Sequence, residues 1–241
     1  MFSYSYDAYK RLTQVSVGAS VLRNYVYDTN PDDSSYSGLY TAGRLTEIKY
    51  PAITYSGTPG GAQESTTFTD MFSYHQAGAV VGKRLRVTKT NPYQNQQGQW
   101  LSQTGVGDLN LAYTYNTEGK PTQIVYPFDS GSGTSPTYNY SYDAMARLAG
   151  MTTNDGGTGV SGVVYGVANE LRAINYYGAT ENRDYNTLFQ LKNITTTVQG
   201  GTGINVTYNY PAGSNNGKIS SMSDALSMEG RRSIPIPSPR K

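Results

Sequence analysis

The segment Tyr4-Ser-Tyr-Asp-Ala-Tyr-Lys-Arg-Leu12 returns 136 residues later as Tyr140-Ser-Tyr-Asp-Ala-Met-Ala-Arg-Leu148, with seven of nine positions identical. A chain that reuses one short motif at such a distance is built from repeated supersecondary units, and each unit needs its neighbours to bury a face. Looser copies fill the interval and run on. Tyr25-Val-Tyr27-Asp28 reaches Gly43-Arg44-Leu45 after an inserted loop that holds Pro31-Asp32-Asp33. Phe72-Ser-Tyr74 leads to Lys83-Arg84-Leu85, and Tyr113-Thr-Tyr115-Asn-Thr-Glu-Gly119 leads to Thr122-Gln-Ile-Val125. Val163-Val-Tyr165 precedes Glu170-Leu-Arg172, Asp184-Tyr185 precedes Leu188-Phe-Gln-Leu191, and Tyr208-Asn-Tyr210 precedes Gly217-Lys-Ile219, which makes eight units.

Each unit reads as a β-hairpin. Tyr-x-Tyr alternates with period two and puts both rings on one sheet face. The Asp or Asn that follows suits a turn, since its side chain can bond backbone amides two residues on. A Gly after it supplies the positive φ that a tight turn needs. Asp7 precedes Arg11, and Asp143 precedes Arg147, by four residues. Across a turn this spacing sets carboxylate beside guanidinium, a register clamp in preference to a catalytic pair because it recurs at structural intervals. The 23 Tyr and 27 Gly, against 5 Phe and 1 Trp, fit a pleated, half-wet surface with many turns. The expected fold is all-β, with consecutive antiparallel β-hairpins forming a curved, spiralling sheet. The central tyrosines are about 20 to 27 residues apart where units are tight and 47 and 41 apart around Phe72. Residues 29–42, 51–70 and 89–112 therefore read equally as loops or as further strands.

Charge excludes little. The formal balance is +2, but residues 229–241 carry Arg231, Arg232, Arg240 and Lys241 against Glu229, and the remainder holds 15 basic and 16 acidic residues. That body lacks the positive field expected for nucleic-acid binding. With 0 Cys, disulfides and thiolate metal sites are excluded. No apolar run is long enough to span a bilayer, and the opening Met1-Phe-Ser-Tyr lacks the basic and apolar regions of a signal peptide.

The pattern Tyr-x-Tyr-Asp-x-x-x-Arg-Leu resembles the YD repeat of the Rhs family, found in bacterial polymorphic-toxin shells, insecticidal toxin complexes and teneurins. The motif residues are Tyr4, Tyr6, Asp7, Arg11 and Leu12 in the first unit, and Tyr25, Tyr27, Asp28, Arg44 and Leu45 in the second. Tyr113, Tyr115 and Gly119 carry it in the fourth unit, and Tyr140, Tyr142, Asp143, Arg147 and Leu148 in the fifth. The resemblance covers about residues 1–225. It implies a non-enzymatic wall segment of a secreted or cell-surface bacterial protein, whose partners are further YD repeats of a longer parent chain, an enclosed toxin domain or surface glycans. No cofactor is expected. Two departures stand out. No Asp-Pro pair of the kind that ends and cleaves such shells occurs. After residue 226 a basic tail with three prolines replaces the strand that is due. The expectation is a repeat region over 1–226 and a non-repeat tail over 227–241 left by truncation or frameshift.

Other motifs carry less. Gly157-Thr-Gly159-Val-Ser-Gly162 matches a dinucleotide-binding pattern in form, but a turn precedes it and strand-like Val163-Val-Tyr165 follows, so it reads as a loop. His75, the 1 His of the chain, stands where other units have Asp and reads as a turn residue. Asp32-Asp33 lack the spaced ligands of a calcium loop. Asn139, Asn193 and Asn205 open glycosylation sequons of a kind expected by accident in an Asn- and Thr-rich chain. If the tyrosines are architecture, Tyr6 or Tyr142 tolerates Phe but not Ala. The rival expectation is a carbohydrate-binding surface that uses exposed Tyr, Asn and Gln.

Overall fold

A computed structural model describes residues 1–33, 36, 39–55, 59–199, 201–213, 215–226 and 234–235. Among these residues there is no α-helix, and the regular structure is antiparallel strand. The chain divides into two compact parts, Met1–Thr137 and Tyr138–Lys241. In the first, β1 (Phe2–Tyr6), β2 (Leu12–Val17), β3 (Ser20–Tyr27) and β4 (Leu45–Lys49) pair in sequence order. β4 and the short β5 (Ile53–Thr54) both pair with β6 (Ser65–Tyr74), β5 taking over past Pro51, which has no amide to donate. A long hairpin of β7 (Val80–Gln94) and β8 (Trp100–Tyr115) follows, and then β9 (Pro121–Val125).

The second part repeats the meander. It runs through β10 (Thr137–Tyr142), β11 (Leu148–Thr153), β12 (Thr158–Tyr165), β13 (Leu171–Tyr176) and β14 (Ala179–Tyr185). β15 (Leu191–Val198), β16 (Gly201–Asn209) and β17 (Ser221–Asp224) complete it. The consecutive-hairpin fold is therefore observed, and residues 4–12 and 140–148 are equivalent hairpins with the same pairing and the same register shift before the last tyrosine.

The turn at the Asp end has one geometry. The first turn residue donates its N–H to the fifth carbonyl, and the fourth donates to the first carbonyl. This holds at 7–11, 75–79, 95–99, 116–120, 143–147, 166–170 and 186–190. It is the five-residue closure of a type I turn followed by a left-handed residue. The fourth position takes that left-handed conformation throughout: Lys10 (φ 64), Gly78 (φ 100), Gly98 (φ 78), Gly119 (φ 76), Ala146 (φ 59), Asn169 (φ 68) and Phe189 (φ 57). Glycine suits this position, yet the two best copies of the motif place Lys10 and Ala146 there. The first residue overcomes that strain: Asp7 Oδ1 accepts from the amides of Tyr9 at 2.8 Å and Arg11 at 2.9 Å.

Several open readings are settled. Residues 65–70 and most of 89–112 are strand, and Asn95–Gln99 closes the far end of the β7–β8 hairpin with the same turn. Contrary to the loop reading, Thr158–Gly162 of the Gly157 motif lie in β12, with Gly157 just after the turn that precedes it, and the register of β12 shifts at Gly162 (φ 57). In the eighth unit the return strand starts at Ser221, not at Gly217-Lys-Ile219. Most of the tail falls outside the described residues. Contrary to expectation, however, Ile234–Pro235 forms a short strand, β18, on Ser221 and Met222. A proline is tolerated at the margin of a sheet.

The buried set is mostly polar: Met71 with Thr46, Glu47, Thr66, Thr69, Asp70 and Ser73. Ladder bonds and cross-strand side-chain pairs, about 0.2–1 kcal/mol each, take the place of a large oily core. Replacing Ala146 by Gly relieves a left-handed alanine and is expected to stabilise the fold by about 0.5–1 kcal/mol, read as a higher urea midpoint.

Candidate functional site: the clamp between successive hairpins

The motif residues converge, but between units more than within them. Asp7, at the end of β1, takes a 2.7 Å bond from Arg11 Nε, as the four-residue spacing implied. The same guanidinium then reaches the next unit. Its Nη1 and Nη2 donate to the two oxygens of Asp28 at 3.2 and 2.9 Å, and its carbon lies 4.4 Å from the centre of the Tyr27 ring. Arg147 repeats the arrangement. Its Nε donates to Asp143 at 2.8 Å and its Nη1 to Asn169 of the next turn at 3.1 Å, and it stacks 4.3 Å from Tyr165. Arg44 manages without a carboxylate, donating to the carbonyls of Tyr40 (2.9 Å), His75 and Gln76 (both 3.0 Å) and lying over Tyr74. In the seventh unit Gln190 stands in the Arg position and exchanges amide bonds with Asn215 at 3.0 and 2.6 Å.

In six of the seven later units the second tyrosine adds a return bond. Its hydroxyl donates to the backbone carbonyl that opens the return strand of the preceding unit. The pairs are Tyr27 to Leu12 at 2.9 Å, Tyr115 to Val80 at 2.8 Å, Tyr165 to Leu148 at 3.0 Å, Tyr185 to Leu171 at 3.0 Å and Tyr210 to Leu191 at 2.9 Å, and Tyr74 bonds Leu45 in the same way. Leu12, Leu45 and Leu148 thus act through their main chains as well as their side chains. The sequence signal for this stitch was the excess of Tyr over Phe. Tyr25 and Tyr113 lie on β3 and β8, and Tyr140 and Tyr142 on β10, as the period-two pattern required. Tyr4 and Tyr6 lie on β1 and are exposed. Gly119 is the left-handed turn residue. His75 replaces Asp, with its Nδ1 accepting from the Ala77 amide at 3.2 Å.

A second cluster, which sequence reasoning missed, lies under the inserted loop. Asp33 Oδ2 accepts from both Arg84 Nη1 and Arg86 Nη2, and Arg86 also donates to Asp108 at 2.8 Å from each of Nε and Nη2. Lys49 pairs with Asp32 and lies 3.4 Å from Glu47 Oε2. The loop carboxylates are thus held by cations of β4 and β7, an arrangement that anchors the loop and leaves Asp33 Oδ2 unsuited to calcium. Among the described residues no group of three or more His, Asp or Glu is placed to hold a metal.

Electrostatics follow this geometry. At Asp28 the Arg11 guanidinium and the Gly43 amide hold the carboxyl below its ordinary range, and at Asp143 the Arg147 side chain and amide do the same. At Asp7 desolvation opposes the charge, but bonds from Arg11 and Tyr9 outweigh it and the value is again lowered. Burial pushes Glu47 up, against the Asp32 amide bonded to Oε1. Carboxylates with lowered folded values contribute stability above their ordinary range and lose it as pH falls through the lowered values. The thermal midpoint is therefore expected to fall below about pH 4, and Asp143→Asn should remove part of that fall. Glu47 has the opposite sign: its proton favours the fold at low pH and the cost of its charge appears as pH rises. Glu47→Gln should raise the midpoint at pH 7 and leave it unchanged at pH 3. Tyr165→Phe deletes one stitch and should cost about 1 kcal/mol in denaturant titration, whereas Tyr6→Phe, on the exposed first strand, should be close to neutral.

No helix among the described residues is long and apolar enough to cross a membrane. No protein-family model matches the chain, and no curated protein matches it. Among solved structures it is similar to a porin-like protein from Bacteroides uniformis ATCC 8492. The two are 12% identical, the match covers 78% of this chain and 94% of that one, and the TM-score is 0.29, a likeness too loose to carry an argument.

Proposed function

We propose that the chain is a non-enzymatic structural module, a wall segment of YD-repeat type within an Rhs-like secreted or cell-surface protein, whose role is to enclose or display another domain. The observation that carries this reading is the clamp. The side chains that form the motif are used to fix one hairpin to the next: Arg11 and Arg147 by ion pair and ring stacking, and the second tyrosines by hydroxyl-to-carbonyl bonds. A repeat whose signature residues are used up on its neighbours extends by adding further copies of itself. Chemistry at these residues would require breaking the contacts that hold the wall together.

The exposed first strand supports the same reading. β1 pairs with β2 and is exposed along its length, with Phe2, Tyr4 and Tyr6 each more than half accessible. An uncovered, apolar strand edge is a template for pairing with another chain. The full chain expressed alone is expected to self-associate in light scattering. Fusing a preceding YD unit to Met1 should restore a monomer, and a clean monomer without that fusion would count against the wall reading. Further YD units in the DNA flanking the gene are expected as well. A glycan array provides the discriminating arm, since saturable glycan binding abolished by Tyr4→Ala and Tyr6→Ala would favour an adhesive surface instead.

A further inference from the structure

At the junction between the third and fourth units the Arg position of the motif holds Ala79, and a cavity of about 310 Å³ lies between the turns at 75–79 and 116–120. Its walls match, position for position, the residues that surround Arg11. His75 stands where Asp7 stands, Ala77 where Tyr9 stands, and Ala79 where Arg11 itself stands. Across the gap Tyr115 corresponds to Tyr27, Asn116 to Asp28 and Gly119 to Gly43. The stitch of this junction is intact, with Tyr115 Oη donating to the Val80 carbonyl at 2.8 Å. The two hairpins are therefore held together by the same bond as at the Arg11 and Arg147 junctions, while the guanidinium that those arginines and Arg44 bring is absent because position 79 is alanine.

We infer that this cavity is a binding slot for a guanidinium group, supplied by an arginine side chain of a partner polypeptide. The ring of Tyr115 offers the flat face that Tyr27, Tyr74 and Tyr165 offer to Arg11, Arg44 and Arg147, at 4.4, 5.3 and 4.3 Å. Neither of the aspartates that grip Arg11 has a carboxylate counterpart here, since His75 and Asn116 occupy their positions. The Arg44 junction shows that carboxylates are dispensable. That guanidinium is held by main-chain carbonyls alone, including those of the first and second residues of the next turn, His75 and Gln76. The corresponding acceptors here are the carbonyls of Asn116 and Thr117, and both residues line the cavity. A planar fork with several donors fits such a set, whereas an ammonium makes fewer directed bonds to it. The slot rests on the local clamp geometry and holds whether or not the chain belongs to a larger shell.

The test titrates the full-length chain, labelled for NMR, with N-acetyl-arginine amide, its citrulline analogue and its lysine analogue. Saturable shifts confined to residues 75–79 and 113–119 are expected for the arginine compound, with at least tenfold weaker binding of the neutral citrulline compound and intermediate binding of the lysine compound. Ala79→Arg fills the slot from within and should abolish the titration while raising the thermal midpoint. Tyr115→Leu should weaken binding at least fivefold. Free L-arginine serves as a further arm: binding at least fivefold weaker than that of the blocked amide is expected for a slot that takes a side chain carried by a polypeptide, and equal or tighter binding overturns the polypeptide source in favour of the free amino acid. Equal binding of citrulline, undiminished binding to Ala79→Arg, or no shifts in the wild-type chain at 50-fold excess, on the order of a weak millimolar complex, each overturns the assignment.

Discussion

The structure depends on hydrogen bonds that run from one hairpin to the next through side chains. A lone two-stranded hairpin is marginal in water, and three or more strands are needed before a sheet holds. This chain has few large apolar residues to bury, and Met71 is the fully buried hydrophobe of the described core. The neighbouring hairpin therefore has to be recruited by directed contacts. A tyrosine hydroxyl bonded to a carbonyl of the adjacent strand, and a guanidinium bridging two turns, perform this at the same strand ends in successive units. Each contact is worth about 1 kcal/mol or less, and their repetition gives them weight.

The clamp also explains why the motif has its particular residues. Phe in place of the second tyrosine would keep the ring under the arginine and lose the donor. Lys in place of Arg11 would keep a charge but not the fork that grips Asp7 and Asp28 together. Asp at the first turn position does two things: Oδ1 closes the turn on its own backbone, and Oδ2 faces the arginine. Asn186 keeps the first role, and the residue four positions on changes with it, Gln190 accepting from Asn186 and pairing across to Asn215. In this unit the motif degenerates as a matched pair, as expected of residues that answer one another.

The inserted loop of the second unit solves a local problem. Glu47, Lys49, Arg84 and Arg86 occupy one sheet face, where charged side chains at this density would otherwise be left to water. The loop lays Asp32 and Asp33 over them. The arrangement buries Glu47 completely, so part of the stabilising charge pairing is spent on a carboxylate that would be more comfortable protonated.

Sequence by itself determined the hairpin repeat, the position of the Asp-end turns and the pairing of Asp7 with Arg11 and of Asp143 with Arg147. All of these are local: period-two alternation and four-residue spacing act within a single turn. Tertiary structure decided what lies across units. The partners of the tyrosine hydroxyls, the reach of Arg11 to Asp28 and the meeting of Asp33 with Arg84 and Arg86 all depend on which strands lie side by side, and a residue's spacing along the chain does not encode that. The stretches at 65–70 and 100–112 were illegible for the same reason. Thr66–Thr69 favour strand without naming a partner and the Gly and Gln of 100–112 favour none, and both stretches are held as strands by the ladder that β7 offers on both of its edges.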